Sequence, residues 1–382
     1  MDATLSARAR LDLIERNTAE VMGRDELPGV LESGLQLRHY IGYEISGKVH
    51  LGSVLSMAKV HDLADAGVRC SVLLADWHTW INDKLGGDRE AIRRVATGYF
   101  AEALGAALSC VGGHPEQVEL VLASDLYRHN DDYWATVIDV SKSTTLARMQ
   151  RSISIMGRQE GESIDFAKLI YPAMQVADIF AQGVHIAHAG LDQRKAHAIA
   201  RDVALQLRVN TLRDAQGAAI KPVALHHPLL LGLRKPSVWP VPEDGSGEVF
   251  SAMKMSKSDP SAAVFVHDTP DEIRDKVRRA FAPPNTVRFN PILDWIEKLV
   301  FGIQGGPLHV DRTPQNGGPV RFDSYGDVAG AYESGSLHPM DAKNALAERL
   351  IELLEPARTH FGNPEIRAML DDVEQLERAR PG

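Results

Sequence analysis

Apolar positions along the chain fall into two kinds of run: short unbroken stretches, and longer stretches in which apolar residues return every three or four positions. HYIGYEI (39–45) is of the first kind and predicts a strand. A small-residue turn, SGK, comes next, and from HLGS through VLSMAKVHDLADAG (54–67) the spacing predicts a helix. VRCSVLLADWH (68–78) reads as a second strand, its consecutive apolar residues suiting a parallel strand covered on both faces. Residues 89–112 carry helical periodicity, and VELVLASD (118–125) reads as a third strand. From 131 to 182 the pattern is helical apart from the polar stretch GRQEGES (157–163). HIAHAGLDQRKAHAIARDVA (185–204) then resumes the sheet and adds a helix, and KPVALHHPLLLGL (221–233) supplies another strand and loop. This alternation predicts an α/β fold with a Rossmann-like, doubly wound parallel sheet, its ligands bound at the carboxyl ends of the strands.

The Pro-, Gly- and Ser-rich region 234–262 reads as a loop. TPDEIRDKVRRAF (269–281) opens a helical module, with Thr269 and Pro270 as its start signals. A Gly/Pro-rich stretch (302–320) interrupts the module, and MDAKNALAERLIELLEPARTHF (340–361) closes it. The expected organisation is an N-terminal helical segment (1–35), a Rossmann-like unit (36–250) with a helical insertion near 125–165, a loop (251–268) and a helical C-terminal domain (269–382).

Composition narrows the function. With 382 residues, 44% hydrophobic and 24% charged, the chain can bury a sizeable core. Its first residues lack a long apolar stretch, so neither a signal peptide nor a membrane anchor is expected, and the expected location is cytoplasmic. Cys70 and Cys110 stand in apolar surroundings without CxxC spacing, which predicts two buried thiols rather than a disulfide, zinc or iron–sulfur site. The fifteen His show no HExxH spacing, and His185, His188 and His197 lack helix-face spacing with a carboxylate, so no dedicated metal site is expected. A net charge of −9 disfavours a general nucleic-acid coat. Local basic faces remain open at Arg148 and Arg151 and at RDKVRRAF (274–281), with a solvated helix face as the competing reading.

The most informative string is KMSKS, Lys254 to Ser258. Nucleotidyl transfer from ATP to a carboxylate places extra negative charge on the leaving pyrophosphate, and two Lys on a loop can meet that charge as it develops. A solvated Lys/Ser loop is the alternative. Upstream, GYEISGKVHLGS (42–53) sits between a strand and a helix, where helix N-terminal amides receive phosphates and Gly47 and Gly52 let backbone come close. Together, GYEISGKVHLGS and KMSKS resemble the HIGH and KMSKS signatures of class I aminoacyl-tRNA synthetases.

YPAMQVADIF (171–180) followed by AHAGLDQRK (187–195) narrows the resemblance to tyrosyl-tRNA synthetases of the archaeal and eukaryotic type, over roughly residues 10 to 360. That resemblance implies that His50, Lys254 and Lys257 are catalytic. It also implies that Gly47, His50, Gly52, Ser53, Gly190 and Asp192 bind ATP with Lys254, Met255, Ser256, Lys257 and Ser258, Asp192 taking the ribose. For the amino acid, it implies that Tyr171 and Gln175 hold the amino group of tyrosine, and that Tyr40 and Asp178 bond its phenol. Gln193 would orient the α-carbon groups, with Gly42, Ala75 and His78 lining the slot. In the C-terminal string SLHPMDAKNALAERLIELLEP (336–356), the family pattern brings His338 and Asp341 to the first anticodon base. By spacing alone, Gln175 and Asp178 share a helix face, with a helix cap or an ion pair to Arg194 as the alternative, and HPMD is also a helix N-cap.

The implied activity is ATP-dependent activation of L-tyrosine and its transfer to the 3′-terminal ribose of tRNA(Tyr), with ATP and Mg²⁺ and no protein nucleophile. The implied assembly is a homodimer, with apolar helices near 125–165 as the two-fold contact. The chain departs from the pattern at Ser53, in place of the second signature His, at Ile45 in place of Pro, at His185 in place of Asp, at Ala189, and at Asn316, where some relatives carry an anticodon-stacking aromatic. A tryptophanyl enzyme and a paralogue without tRNA charging are the rivals. Tyr40 with Asp178 argues against the first, because a phenol needs bonding groups deep in its slot.

Overall fold

The structure, a computed structural model, describes residues 5–157, 165–236, 238–241, 253, 255 and 260–378. Six strands form one sheet: β1 (Glu20–Met22), β2 (Arg38–Tyr43), β3 (Arg69–Leu74), β4 (Glu119–Leu122), β5 (Ile186–Gly190) and β6 (Val223–His227). Their spatial order is β1-β6-β5-β2-β3-β4, all parallel except β1, which runs antiparallel to β6. From β2 the chain winds outward through β3 and β4, then returns to build β5 and β6 on the other side. The order reverses between β2 and β5, so the crevice that binds ligands in doubly wound sheets opens there.

Helices cover the sheet: α1 (Ala7–Glu15), α2 (Leu27–Glu32), α3 (Leu51–Asp65), α4 (Asp76–Ile81), α5 (Arg89–Val95), α6 (Ala101–Ser109), α7 (Ala123–Tyr127), α8 (Asp131–Lys142), α9 (Leu146–Ser152), α10 (Ala167–Ala181) and α11 (Arg194–Val203). The strands β5 and β6 are buried at every position, as strands covered on both faces must be. The second and third strands end earlier than their apolar runs suggest. Asp76 turns the chain into α4, and its Oδ1 accepts from the backbone N–H of Trp77 at 3.1 Å and of Ser124 at 2.9 Å, holding the starts of α4 and α7 together. Ala75 and His78 therefore stand at and beyond the carboxyl end of β3, not within it.

The C-terminal region holds α12 (Pro270–Arg279), α13 (Pro291–Trp295), the hairpin β7 (Leu308–Val310) and β8 (Val320–Phe322), and then α14 (Tyr325–Glu333), α15 (Pro339–Leu353), α16 (Glu355–His360) and α17 (Pro364–Arg378). Thr269 caps α12 through a reciprocal box with Glu272. One apolar cluster runs from Ile14 and Val54 beside the sheet to Trp295, Leu346 and Val373, so the C-terminal helices pack against the same core. The last helix returns to the sheet side, where Arg94 pairs with Asp372 at 3.0 Å and Lys48 with Glu374 at 3.3 Å.

Cys70 is buried but Cys110 is only partly so, because it caps the exposed end of α6. The two basic stretches are largely neutralised in place. Arg148 pairs with Asp202, Arg274 with Glu348 at 2.8 Å, and Arg278 and Arg279 both with Asp275. These four arginine side chains are also partly to largely exposed, as on a solvated helix face. Among the described residues no helix is long and apolar enough to cross a membrane.

Candidate active site

At the switch point the carboxyl ends of β2, β5 and β6 open into a cleft of about 800 Å³. Tyr40 and Gly42 reach it from β2, Ala75 and His78 from the β3–α4 corner, Tyr171, Gln175 and Asp178 from α10, and Gly190, Asp192 and Gln193 from the end of β5. His50, Gly52 and Ser53 reach it from the start of α3, and Met255 from the loop. The structure thus brings together, around one cavity, residues separated by more than two hundred positions. Lys254, Ser256, Lys257 and Ser258 lie outside the described residues.

The floor is built on Asp178, which is 1% exposed. Its Oδ1 accepts from Tyr127 Oη at 2.8 Å and Tyr133 Oη at 3.2 Å, while His78 Nε2 lies 3.7 Å from Oδ2. The two phenols stack at 4.0 Å. Burial pushes the Asp178 carboxyl up to about 7, against the opposing pull of the Tyr127 and Tyr133 hydrogen bonds. Burial also pushes Tyr40 well above the ordinary phenol range, with the Asp178 charge adding to the shift, and holds His78 down at about 3, neutral. Neither Tyr127 nor Tyr133 belongs to a sequence signature. They come from the insertion helices α7 and α8, and nothing local marks them as partners of a residue some fifty positions away.

The wall beside this floor is a polar chain. Tyr171 Oη donates to Glu44 Oε1 at 2.8 Å, Asn82 Nδ2 reaches the same oxygen at 2.9 Å, and Gln175 Nε2 donates to Gln193 Oε1 at 3.2 Å. Gln193 is fixed in turn by donating to the Ile155 carbonyl at 2.9 Å. Gln175 Oε1 is buried without a partner among the described residues, a state that a ligand's ammonium would relieve. Sequence reasoning misses Glu44, although a carboxylate directly after an apolar strand is itself a signal. Arg194 does not pair with Asp178. It holds Glu20 of β1 at 2.8 Å, which removes the ion-pair reading.

On the opposite side, His50 caps α3, its Nδ1 accepting from the Gly52 N–H at 3.0 Å. A Cβ on Gly52 would collide with that ring at 2.7 Å, so only glycine permits the cap. Gly47 has φ +122 and lies against Glu377 of α17; it is next to the cleft but not in its lining. Ser53 is buried there. Leu51 and Val49 bond the backbone of Val264 and Val266, and Met255 and Gly232 bond Leu230 and Met253, so both flanks of the KMSKS string are anchored at the cleft. Far away on α15, His338 Nδ1 accepts from Met340 N–H at 3.1 Å as the helix cap, with His338 exposed and Asp341 partly so.

A family model described as tRNA synthetases class I (W and Y) matches residues 33–355. The chain is 52% identical over 369 residues to the tyrosine–tRNA ligase of Thermococcus sibiricus, covering 96% of this chain and 98% of that one. The chain belongs to the class I tRNA synthetases, in their tyrosyl branch. The tyrosyl-tRNA synthetase of Pyrococcus horikoshii, solved with L-tyrosine, superposes on this synthetase with a TM-score of 0.93 at 50% identity, over 96% of this chain and 100% of the other. A tryptophanyl-tRNA synthetase from Aeropyrum pernix shares the synthetase fold at a TM-score of 0.65, with 17% identity over 93% and 85% of the two chains.

The raised Asp178 value has a measurable consequence for this synthetase. An unfolded Asp titrates near 3.9. Between about pH 4 and 7 the folded protein therefore retains a proton that the unfolded chain has released, and stability falls as pH rises through that window. Asp178→Asn should lessen this fall, seen as a flatter dependence of the urea midpoint on pH than in the wild type. Parallel curves would show that Asp178 is already ionised in the folded protein at pH 4.

Proposed function

We propose that the chain is a tyrosine–tRNA ligase, activating L-tyrosine with ATP and transferring it to the terminal ribose of tRNA(Tyr). The observation that carries this reading is the convergence of Tyr40 and Asp178, both buried, at the floor of the cleft. A buried phenol and carboxylate side by side suit a ligand that ends in a hydroxyl. An indole would leave Asp178 facing carbon, which disfavours the tryptophanyl reading. Further out, Tyr171, Gln175 and Gln193 suit the ammonium and α-carbon of the amino acid, while Asp192, Gly190 and the His50–Ser53 turn suit ribose and phosphates.

In this arrangement the tyrosine carboxylate attacks the α-phosphorus of ATP in line, and Lys254 and Lys257 offset charge on the departing pyrophosphate. His50, held as a cap, keeps helix amides aimed at the phosphates. Mg²⁺ would arrive with the nucleotide and supply charge on its phosphates; among the described residues no group of three His, Cys, Asp or Glu forms a seat for it. The terminal ribose hydroxyl of tRNA then attacks the adenylate carbonyl, forming the ester as the acyl–phosphate bond breaks and AMP leaves, with the hydroxyl proton passing to its phosphate or to water. We assign residues 36–250 together with the loop 251–268 to this chemistry, and 269–382 to the anticodon.

Three measurements test the reading. Asp178→Ala should lower the preference for tyrosine over phenylalanine in pyrophosphate exchange by about tenfold to a hundredfold, the worth of a hydrogen bond to a charged group; an unchanged preference would remove Asp178 from the phenol site. His338 caps its helix, so the anticodon role is tested at Asp341. Asp341→Ala should leave tyrosine activation intact and reduce charging, with a smaller loss on tRNA already mutated at the first anticodon base; equal losses on both transcripts would mean that Asp341 serves only the helix. For assembly, α8 and α9 expose Ile138 (60%) and Leu146 (64%), apolar surface suited to a two-fold contact. Light scattering should give twice the chain mass, and Ile138→Glu with Leu146→Glu should give a monomer; a wild-type monomer at micromolar concentration would reject the contact.

A further inference from the structure

Three buried histidines form a chain that the activation and transfer steps do not use. His39 on β2, His188 on β5 and His227 on β6 share one face of the sheet, because Ile41 pairs with His188 and Gly190 with His227 in register and alternate residues face the same way. His39 Nε2 lies 3.2 Å from His188 Nδ1, and His188 Nε2 lies 2.8 Å from His227 Nδ1. His227 borders the ATP side of the cleft, whereas His39 lies at the opposite end of the row, bordering a second cavity beside Arg38 and Arg69.

A neutral imidazole has one N–H and one lone pair. Burial holds all three rings neutral: His39 is pushed down to about 3 and His227 to about 4, and His188 falls well below the usual range. Each N···N contact therefore contains a single proton, and the polarity of one contact fixes that of the next. All three rings donate toward the cleft, or all three donate away from it.

The cleft end breaks the tie. His227 Nε2 and Asp192 Oδ1 converge on Gly190, where an added Cβ would lie 3.4 Å from the first and 2.7 Å from the second. Both side chains therefore border the same end of the cleft, and the Asp192 charge acts on His227 in the sense that favours an N–H over a lone pair facing the carboxylate. At the other end His39 Nδ1 is buried without a partner whichever way the chain runs. The buried Lys59 ammonium acts on all three rings and opposes a second proton on any of them.

We propose that His39, His188 and His227 form a one-way hydrogen-bond relay that fixes a donor at His227 Nε2, making His227 a positioning residue for Asp192 and the ATP ribose. The ribose assignment rests on the ligase reading; the relay itself does not. Without the relay only the Asp192 charge would bias His227, and the form with a bare Nε2, which repels that carboxylate, would gain population.

Imidazole ¹⁵N chemical shifts of the intact protein read the tautomers directly. In the wild type, His227 should be protonated at Nε2. His39→Phe keeps a ring but removes the first donor, so His227 should become a mixture of tautomers. The KM for ATP in pyrophosphate exchange should then rise about threefold to tenfold, the size of one hydrogen bond, while the KM for tyrosine holds. His39→Gln, whose amide can donate to His188, should recover most of that loss. Protonation of wild-type His227 at Nδ1 overturns the relay, whatever the activity and even if the Phe variant does not fold. A folded His39→Phe protein with wild-type KM for ATP overturns it as well. If the wild type has the stated tautomer but no exchange activity, the relay stands and the ligase reading fails.

Discussion

Asp178 places a carboxylate in the middle of the protein, 1% exposed, on a helix whose other buried positions are almost all apolar. An unpaired charge there would be costly, and much of the surrounding architecture answers that constraint. The Tyr127 and Tyr133 hydroxyls bond it from α7 and α8, and this ties the insertion helices to the floor of the cleft. The ring stack of those two tyrosines, with Trp77 and Trp134 packed edge-on nearby, fills the space a looser insertion would leave to water. The carboxylate is thus satisfied on one oxygen by the protein, and in the proposed reading a phenolic ligand completes the set.

The topology supplies the other half of the design. Because β2 lies between β3 and β5, side chains at its carboxyl end meet both the β3–α4 corner and the β5–α11 turn. Alternation then sorts neighbours on β6 to opposite faces. His227 joins His188 and His39, while His226 turns to His197 at 3.0 Å and to Glu20 at 3.1 Å. The short strand β1 matters for this reason. Its three residues bring Glu20 to the edge of the sheet, where it anchors both His226 and Arg194.

Much of this is legible in the sequence where the signal is local. The strand–turn–helix around His50, the cap at Thr269 and the helix carrying Tyr171, Gln175 and Asp178 follow from periodicity and start signals. The ends of β3 and β4 are hidden because apolar residues continue into helices that Asp76 starts through its side chain. The strand β1 and the β7–β8 hairpin strands are three residues each, too short for any period to register. Tyr127, Tyr133 and the histidine relay are invisible for a different reason. They are pairings across 39 to 149 positions, which sheet order creates and no spacing along the chain encodes.

Charge around the cleft fits the part proposed for the KMSKS lysines. Among the described lining residues the acids are Glu44, Asp178, Asp192 and Glu377, and the only Lys or Arg is Lys84. Four of the five lining histidines, His78, His188, His197 and His227, are held neutral by burial and contribute no positive charge. Lys48, beside the first signature, is engaged by Glu374 at 3.3 Å and Glu377 at 3.8 Å and lies over the Phe265 ring. A triphosphate entering this cleft meets backbone amides at α3 but little compensating charge, and helix amides alone stabilise an anion only modestly. In the proposed reaction that compensation is left to groups outside the described lining, namely a metal carried with ATP and the lysines Lys254 and Lys257. On that reading the amino-acid end of the cleft stays acidic, as an ammonium requires, while positive charge at the phosphate end would arrive with the nucleotide's metal and the two lysines.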